Sequence, residues 1–104
     1  MTRPDFGNGI EVGRFRLKPG ITEAAMRSAY KAMVVEHLKV QPGWRRQLLV
    51  KLDDVTFLDL AYADDRAASE RICAAWRGFA GCDEFLALIE PLDMSFGTIL
   101  CDVR

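Results

Sequence analysis

Hydrophobic and polar residues alternate along four stretches of this chain and recur at helical spacing in the stretches between them. The first alternating run covers residues 10–17: Ile10, Val12, Arg14 and Arg16 point one way, Glu11, Gly13, Phe15 and Leu17 the other. Lys18, Pro19 and Gly20 supply turn chemistry. Thr22 then stands at an N-cap position, with Glu23 in the first turn of a helix expected over 23–39. Met26, Tyr30, Met33 and His37 make one stripe of that helix, flanked by Ala29 and Val34, and Gln41-Pro42-Gly43 stops it. Residues 44–52 and 55–63 alternate on either side of Asp53-Asp54 and read as a hairpin, although its turn lacks the favoured glycine. Asp64 or Asp65 can cap a second helix over 66–77, with Ala68, Ile72, Ala75 and Trp76 inward. Gly78 and Gly81 interrupt it, a short third helix is expected over 82–89, Pro91 ends that, and 92–101 alternates as a last strand.

This order, β-α-β-β-α-(α)-β, predicts an α+β domain of ferredoxin-like βαββαβ topology: a four-stranded antiparallel sheet with both main helices on one face. Residues 1–9 read as a flexible N-terminal arm and 10–104 as the single domain. The helix-facing side is expected to receive Phe15, Leu17, Leu48, Val50, Leu58, Leu60, Tyr62, Met94, Phe96 and Leu100. The opposite face then carries Leu49, Val55, Phe57 and Ile99 amid Arg14, Arg16, Arg45, Gln47, Lys51, Asp59, Asp93 and Ser95. Apolar bulk on an uncovered face marks a contact surface, and mixed charges can pair across a two-fold axis, so a homodimer through this face is expected.

Composition narrows the function classes. The chain has 104 residues, half of them hydrophobic, with a net charge of -1. The balanced charge argues against nucleic acid as a partner, and no apolar run is long enough to span a membrane. The first residues lack the apolar core of a signal peptide. Cys73, Cys82 and Cys101 form no metal-ligand spacing, and a single histidine argues against a zinc site, so no metal is expected. Scattered, odd-numbered cysteines suit reduced thiols in a cytoplasmic protein.

Several segments together resemble a known family. They are Phe15-Arg16-Leu17-Lys18-Pro19-Gly20, the long helix closing on Gln41-Pro42-Gly43-Trp44, and the strand Thr56-Phe57-Leu58-Asp59-Leu60-Ala61-Tyr62. The helix opening Asp65-Arg66-Ala67-Ala68 and the run Phe85-Leu86-Ala87-Leu88-Ile89-Glu90-Pro91 complete the set. They resemble the antibiotic-biosynthesis-monooxygenase-like group of the dimeric α/β-barrel superfamily. The resemblance implies a homodimer whose sheets close into a barrel, and a pocket between sheet and helices in each protomer. It also implies an enzyme of cofactor-independent monooxygenase or isomerase type, with no cofactor, acting on a small apolar or aromatic molecule. The tryptophan that oxygenase members carry at the end of the third strand matches Tyr62 here. Their first-strand asparagine has no counterpart, since Asn8 lies upstream of the strand, and the histidine of haem-degrading members has none in the second helix.

His37 and Tyr62 are therefore the expected catalytic pair, His37 as proton shuttle and Tyr62 orienting substrate. The plainer alternative for His37 is a cap on the helix end, where positive charge is favoured. Tyr30, Met33, Trp76, Phe79 and Met94 are the expected pocket lining, as amphipathic or apolar groups pointing between sheet and helices. Arg14, Arg16 and Arg45 are expected to serve the dimer rather than bind an anion. The alternative to an enzyme is a non-catalytic dimeric module that binds a small ligand or serves structure alone.

Overall fold

The computed structural model describes residues 7–104. Its elements are β1 (Gly9–Leu17), α1 (Glu23–Glu36), a 3-10 turn (Leu38–Val40), β2 (Trp44–Lys51), β3 (Thr56–Ala63), α2 (Arg66–Ala74), α3 (Ala80–Leu86) and β4 (Ile89–Thr98). The four strands form one sheet in the order β2-β3-β1-β4, antiparallel at every pairing, which is the ferredoxin-like arrangement. No helix among the described residues is long and apolar enough to cross a membrane.

Local chemistry sets the element ends. Thr22 accepts a hydrogen bond from the Ala25 amide and Asp65 from the Ala68 amide, so each main helix opens on a side-chain cap. Gly43 has φ +89°, and a Cβ there would lie 2.9 Å from the Ala68 Cβ, so both backbone and space demand glycine where the chain enters β2. The β2–β3 hairpin manages without a turn glycine because Asp53 Oδ1 accepts from the Val55 and Thr56 amides at 3.0 and 2.8 Å.

Several boundaries differ from expectation. Helix α1 ends at Glu36, where His37 caps it, and the chain tightens into the 3-10 turn. Helix α2 stops at Ala74, three residues short of the expected end. The third helix begins and ends earlier than expected, and β4 starts at Ile89 and therefore includes Pro91. Pro91 is tolerated because β4 is an edge strand and Pro91 faces Phe15 beside a bulge between Arg14 and Phe15. Of the expected arm, residues 1–6 lie outside the described residues. Gly9 opens β1, and Asn8 is held by backbone bonds to Asp64 and Ile99.

The helices cover one face of the sheet. Phe15 stacks on Phe57 with ring centroids 5.7 Å apart and meets the edge of Phe85 from α3 at 5.5 Å. Met26, Met33, Leu38, Cys82 and Phe85 complete the fully enclosed centre with Phe57. The expected facing of β1 holds, but the hairpin strands face the other way round. Phe57, Asp59 and Ala63 are buried under the helices, and Gln47 and Leu49 join them. Leu48, Val50, Leu58, Leu60 and Tyr62 lie instead on the uncovered face, in register with Ile10, Val12 and Arg14 of β1. The inversion has a chemical cause. The helix side of this hairpin carries Gln47 and Asp59, polar groups that find partners there, while its more apolar side is left uncovered.

Candidate functional site

Under the helices, beside the aromatic cluster, lies a cavity of about 280 Å³. Its walls are Phe15 from β1, Trp76 from the turn after α2, Phe85 and Leu86 from α3, and Ile89, Pro91 and Met94 from β4. Gly13 leaves one wall open, since a Cβ there would meet only Asp59, at ordinary contact distance. Glu11, Asp59 and Cys73 bring polar groups to this otherwise apolar surface, and Arg14, Arg77 and Asp93 also border it. Arg14 and Asp93 are bonded to each other at 2.7 and 3.0 Å.

Glu11 and Asp59 are each only 6% exposed. Asp59 is the better supplied with partners: Tyr30 donates its hydroxyl to Oδ1 at 2.6 Å, and Gln47 donates Nε2 to the same oxygen at 3.0 Å. Trp44 fixes the Gln47 amide by donating Nε1 to its Oε1 at 3.0 Å, which turns the Nε2 donor toward Asp59. Tyr30 and Gln47 are not among the residues lining the cavity, so both reach Asp59 from behind. Burial raises the Asp59 pKa, against the pull of these two hydrogen bonds. Burial and then the neighbouring charge of Asp59 push Glu11 up to about 7, and the weak donor Cys73 offsets only part of this. Cys73 is pushed up to about 11, by burial first and then by Glu11, so it stays a thiol at neutral pH. Its Sγ lies 3.9 Å from Met94 Sδ. Burial and the Asp59 charge raise the Tyr30 pKa as well, which keeps the phenol a donor.

The expected site residues fall into separate places. Trp76 and Met94 are on the cavity wall. Tyr30 is in the polar network behind it, and Met33 is fully enclosed in the core. His37 and Phe79 form a unit of their own, their rings stacked at 4.0 Å and 12°. His37 Nε2 donates to the Ala75 carbonyl at 2.7 Å, tying the end of α1 to the end of α2. An acceptor-only carbonyl there fixes the Nε2–H tautomer when the ring is neutral. Tyr62 is on the uncovered face of the sheet, because inward and outward residues alternate along β3 and its neighbour Ala63 is buried inward. His37 and Tyr62 thus do not meet, and neither is among the residues lining this cavity. Of the polar groups that line it, Glu11 was signalled by parity in β1, as an acid on the same side as Phe15 and Leu17, whereas Asp59 in β3 was assigned by parity to the opposite face and so was missed.

No protein-family model matches the chain, and no curated protein does. Solved structures do. SnoaB from Streptomyces nogalater, a cofactor-independent oxygenase, superposes with a TM-score of 0.73 at 22% identity, over 93% of this chain and 98% of that one. Rv0793 from Mycobacterium tuberculosis gives 0.65 at 18% identity, over 94% and 100%. A candidate antibiotic biosynthesis monooxygenase from Chloroflexus aurantiacus J-10-fl gives 0.59 at 16% identity, over 92% and 96%. The chain therefore shares its ferredoxin-like fold with these three proteins along nearly its whole length.

Proposed function

We propose that this protein is an enzyme that moves a proton on a small, flat, largely apolar molecule, in the manner of a cofactor-independent oxygenase or an isomerase, and that it works as a homodimer. One observation carries the reading: a carboxyl group with a pKa of about 7, Glu11, lines a mostly apolar cavity of about 280 Å³. A general base is most useful when its pKa lies near the working pH, and pockets for small molecules are apolar with a few polar groups. The fold shared with SnoaB is consistent with this chemistry.

Trp76, Phe85 and Met94 hold the apolar body of the substrate, and the Glu11 carboxylate removes a proton from an acidic C–H beside a carbonyl, or from a phenolic O–H so that a ring carbon takes up carbanion character. In an isomerase the same proton returns to a different carbon. In an oxygenase the substrate carbanion gives one electron to dioxygen and the radical pair joins as a peroxide. That peroxide takes the proton back from Glu11, and loss of water then leaves a new carbonyl. Either course restores the Glu11 carboxylate.

The homodimer is supported by the uncovered sheet face, where Ile10, Val12, Leu48, Val50, Leu58 and Leu60 are in register and half-buried, with one side open. A second copy of the same face would cover it.

The test is to incubate the protein with flat enolisable ketones and phenols and to follow dioxygen uptake and isomer formation. Wild-type protein should turn over part of the panel, and Glu11→Gln should lose about 100-fold or more of that rate. Equal rates in the two proteins would reject Glu11 as the proton carrier.

A further inference from the structure

Two buried carboxyl groups lining one cavity do not both ionise readily, so which of them keeps its proton decides which can act. The surroundings of Glu11 and Asp59 are unequal. Asp59 Oδ1 accepts from both Tyr30 and Gln47, and the Gln47 donor is itself aimed by Trp44. Glu11, on the neighbouring central strand, has the thiol of Cys73 from α2. Hydrogen bonds to an oxygen that already holds two donors favour the anion there, whereas a thiol is a poor donor.

We infer that Tyr30 and Gln47 are positioning residues: they hold Asp59 as the ionised member of the pair, and so leave Glu11 as the member that gains and loses the proton. This rests on the reading of Glu11 as the proton carrier, and it adds the residues that select it. The groups facing the pair come from every neighbouring element. They are Tyr30 on α1, Gln47 on β2 and Cys73 on α2, and the other charged residues bordering the cavity are Arg14, Arg77 and Asp93. Arg14 and Asp93 are already paired with each other, and Cys73 stays neutral below its raised pKa of about 11. Asp59 is then the anion whose charge raises Glu11.

The inference assigns Asp59 a fixed charge rather than a proton-transfer role. Asp59→Asn keeps an Oδ1 acceptor for Tyr30 and Gln47 and replaces the charged carboxylate by a neutral amide. Tyr30→Phe keeps the ring against Phe85 and removes only the donor. With Tyr30 gone the proton favours Asp59 more, and Glu11, relieved of a neighbouring anion, gives up its own proton at lower pH.

The experiment is a pH titration by carbon NMR of protein labelled at glutamate side-chain carboxyls, with the Glu11 signal assigned by its loss in Glu11→Gln. The Glu11 midpoint should fall by about one pH unit in Asp59→Asn and in Tyr30→Phe, and by less in Gln47→Leu. A midpoint unchanged in the folded variants, with only their thermal stability reduced, would overturn the inference and leave Tyr30 a structural residue. A midpoint that rises would overturn it too. Because the titration is read without ligand, absence of turnover would reject the proton-transfer reading while leaving this charge assignment to be judged by the midpoint itself.

Discussion

The Tyr30 hydroxyl donates to Asp59 across 2.6 Å, joining α1 to β3 behind the cavity that Asp59 lines. That bond explains how a small domain tolerates acids in its interior. Asp59 is stabilised by donors behind it, and Glu11 is accommodated by holding its proton to about pH 7. The consequences are measurable.

Stability should depend on pH through Glu11. Its folded pKa of about 7 lies above the unfolded value of 4.5, so the folded state binds the proton more tightly. This contribution is complete below pH 4.5 and is lost as pH rises through 7, by about 3 kcal/mol in total. Asp59, whose pKa is also raised by burial, acts in the same direction. Urea denaturation from pH 4.5 to 8 should show wild-type stability falling along this window, and Glu11→Gln should flatten the slope.

His37 should matter for stability and not for the cavity. Replacing it by alanine removes the bond to Ala75 O and the stack on Phe79, a loss of about 1–2 kcal/mol. Thermal unfolding should register this loss, while ligand affinity and turnover stay near wild type.

The uncovered face should hold the dimer. Leu60 sits between Val12 and Leu48 in register, at the middle of the apolar strip. Leu60→Lys should convert a mass of two chains to one in sedimentation at micromolar concentration, because a buried lysine without a partner is strongly disfavoured. A wild-type mass of one chain would remove the dimer from the account.

Gly13 should act as a size gate. Gly13→Ala meets only ordinary contacts and should fold and bind as before, whereas Gly13→Leu should fill the cavity and abolish ligand binding in a protein that still folds. Quenching of tryptophan fluorescence by an apolar aromatic probe reads both variants.

Much of the architecture was legible in the sequence because it rests on local chemistry. Thr22 and Asp65 announce their helices, Gly43 marks a turn, and Phe15 and Leu17 oppose Arg14 and Arg16 without ambiguity. The facing of the hairpin was misleading because hydrophobicity alone points the wrong way there. Leu48, Val50, Leu58 and Leu60 form the more apolar side, yet the side under the helices is the one that carries Asp59 and Gln47. A polar interior is recognisable only once Tyr30 is seen to reach Asp59 from another element, a long-range contact that no periodicity encodes. The same inversion moved Tyr62 to the uncovered face. The ends of α2 and α3 shifted because the chain between them, with Gly78 at positive φ, is set by packing of Trp76 and Phe79 rather than by helical repeat.

The central claim, that Glu11 moves a proton on a molecule held in this cavity, is tested most directly by hydrogen–deuterium exchange at an activated carbon. A flat enolisable ketone such as 2-tetralone is incubated with protein in heavy water, and loss of its α-proton signals is followed by proton NMR. Wild-type protein should accelerate the exchange, with the rate rising through a midpoint near pH 7, and Glu11→Gln should return it to the buffer rate. Exchange equally fast with Glu11→Gln, or a wild-type rate with no midpoint near pH 7, would contradict the account.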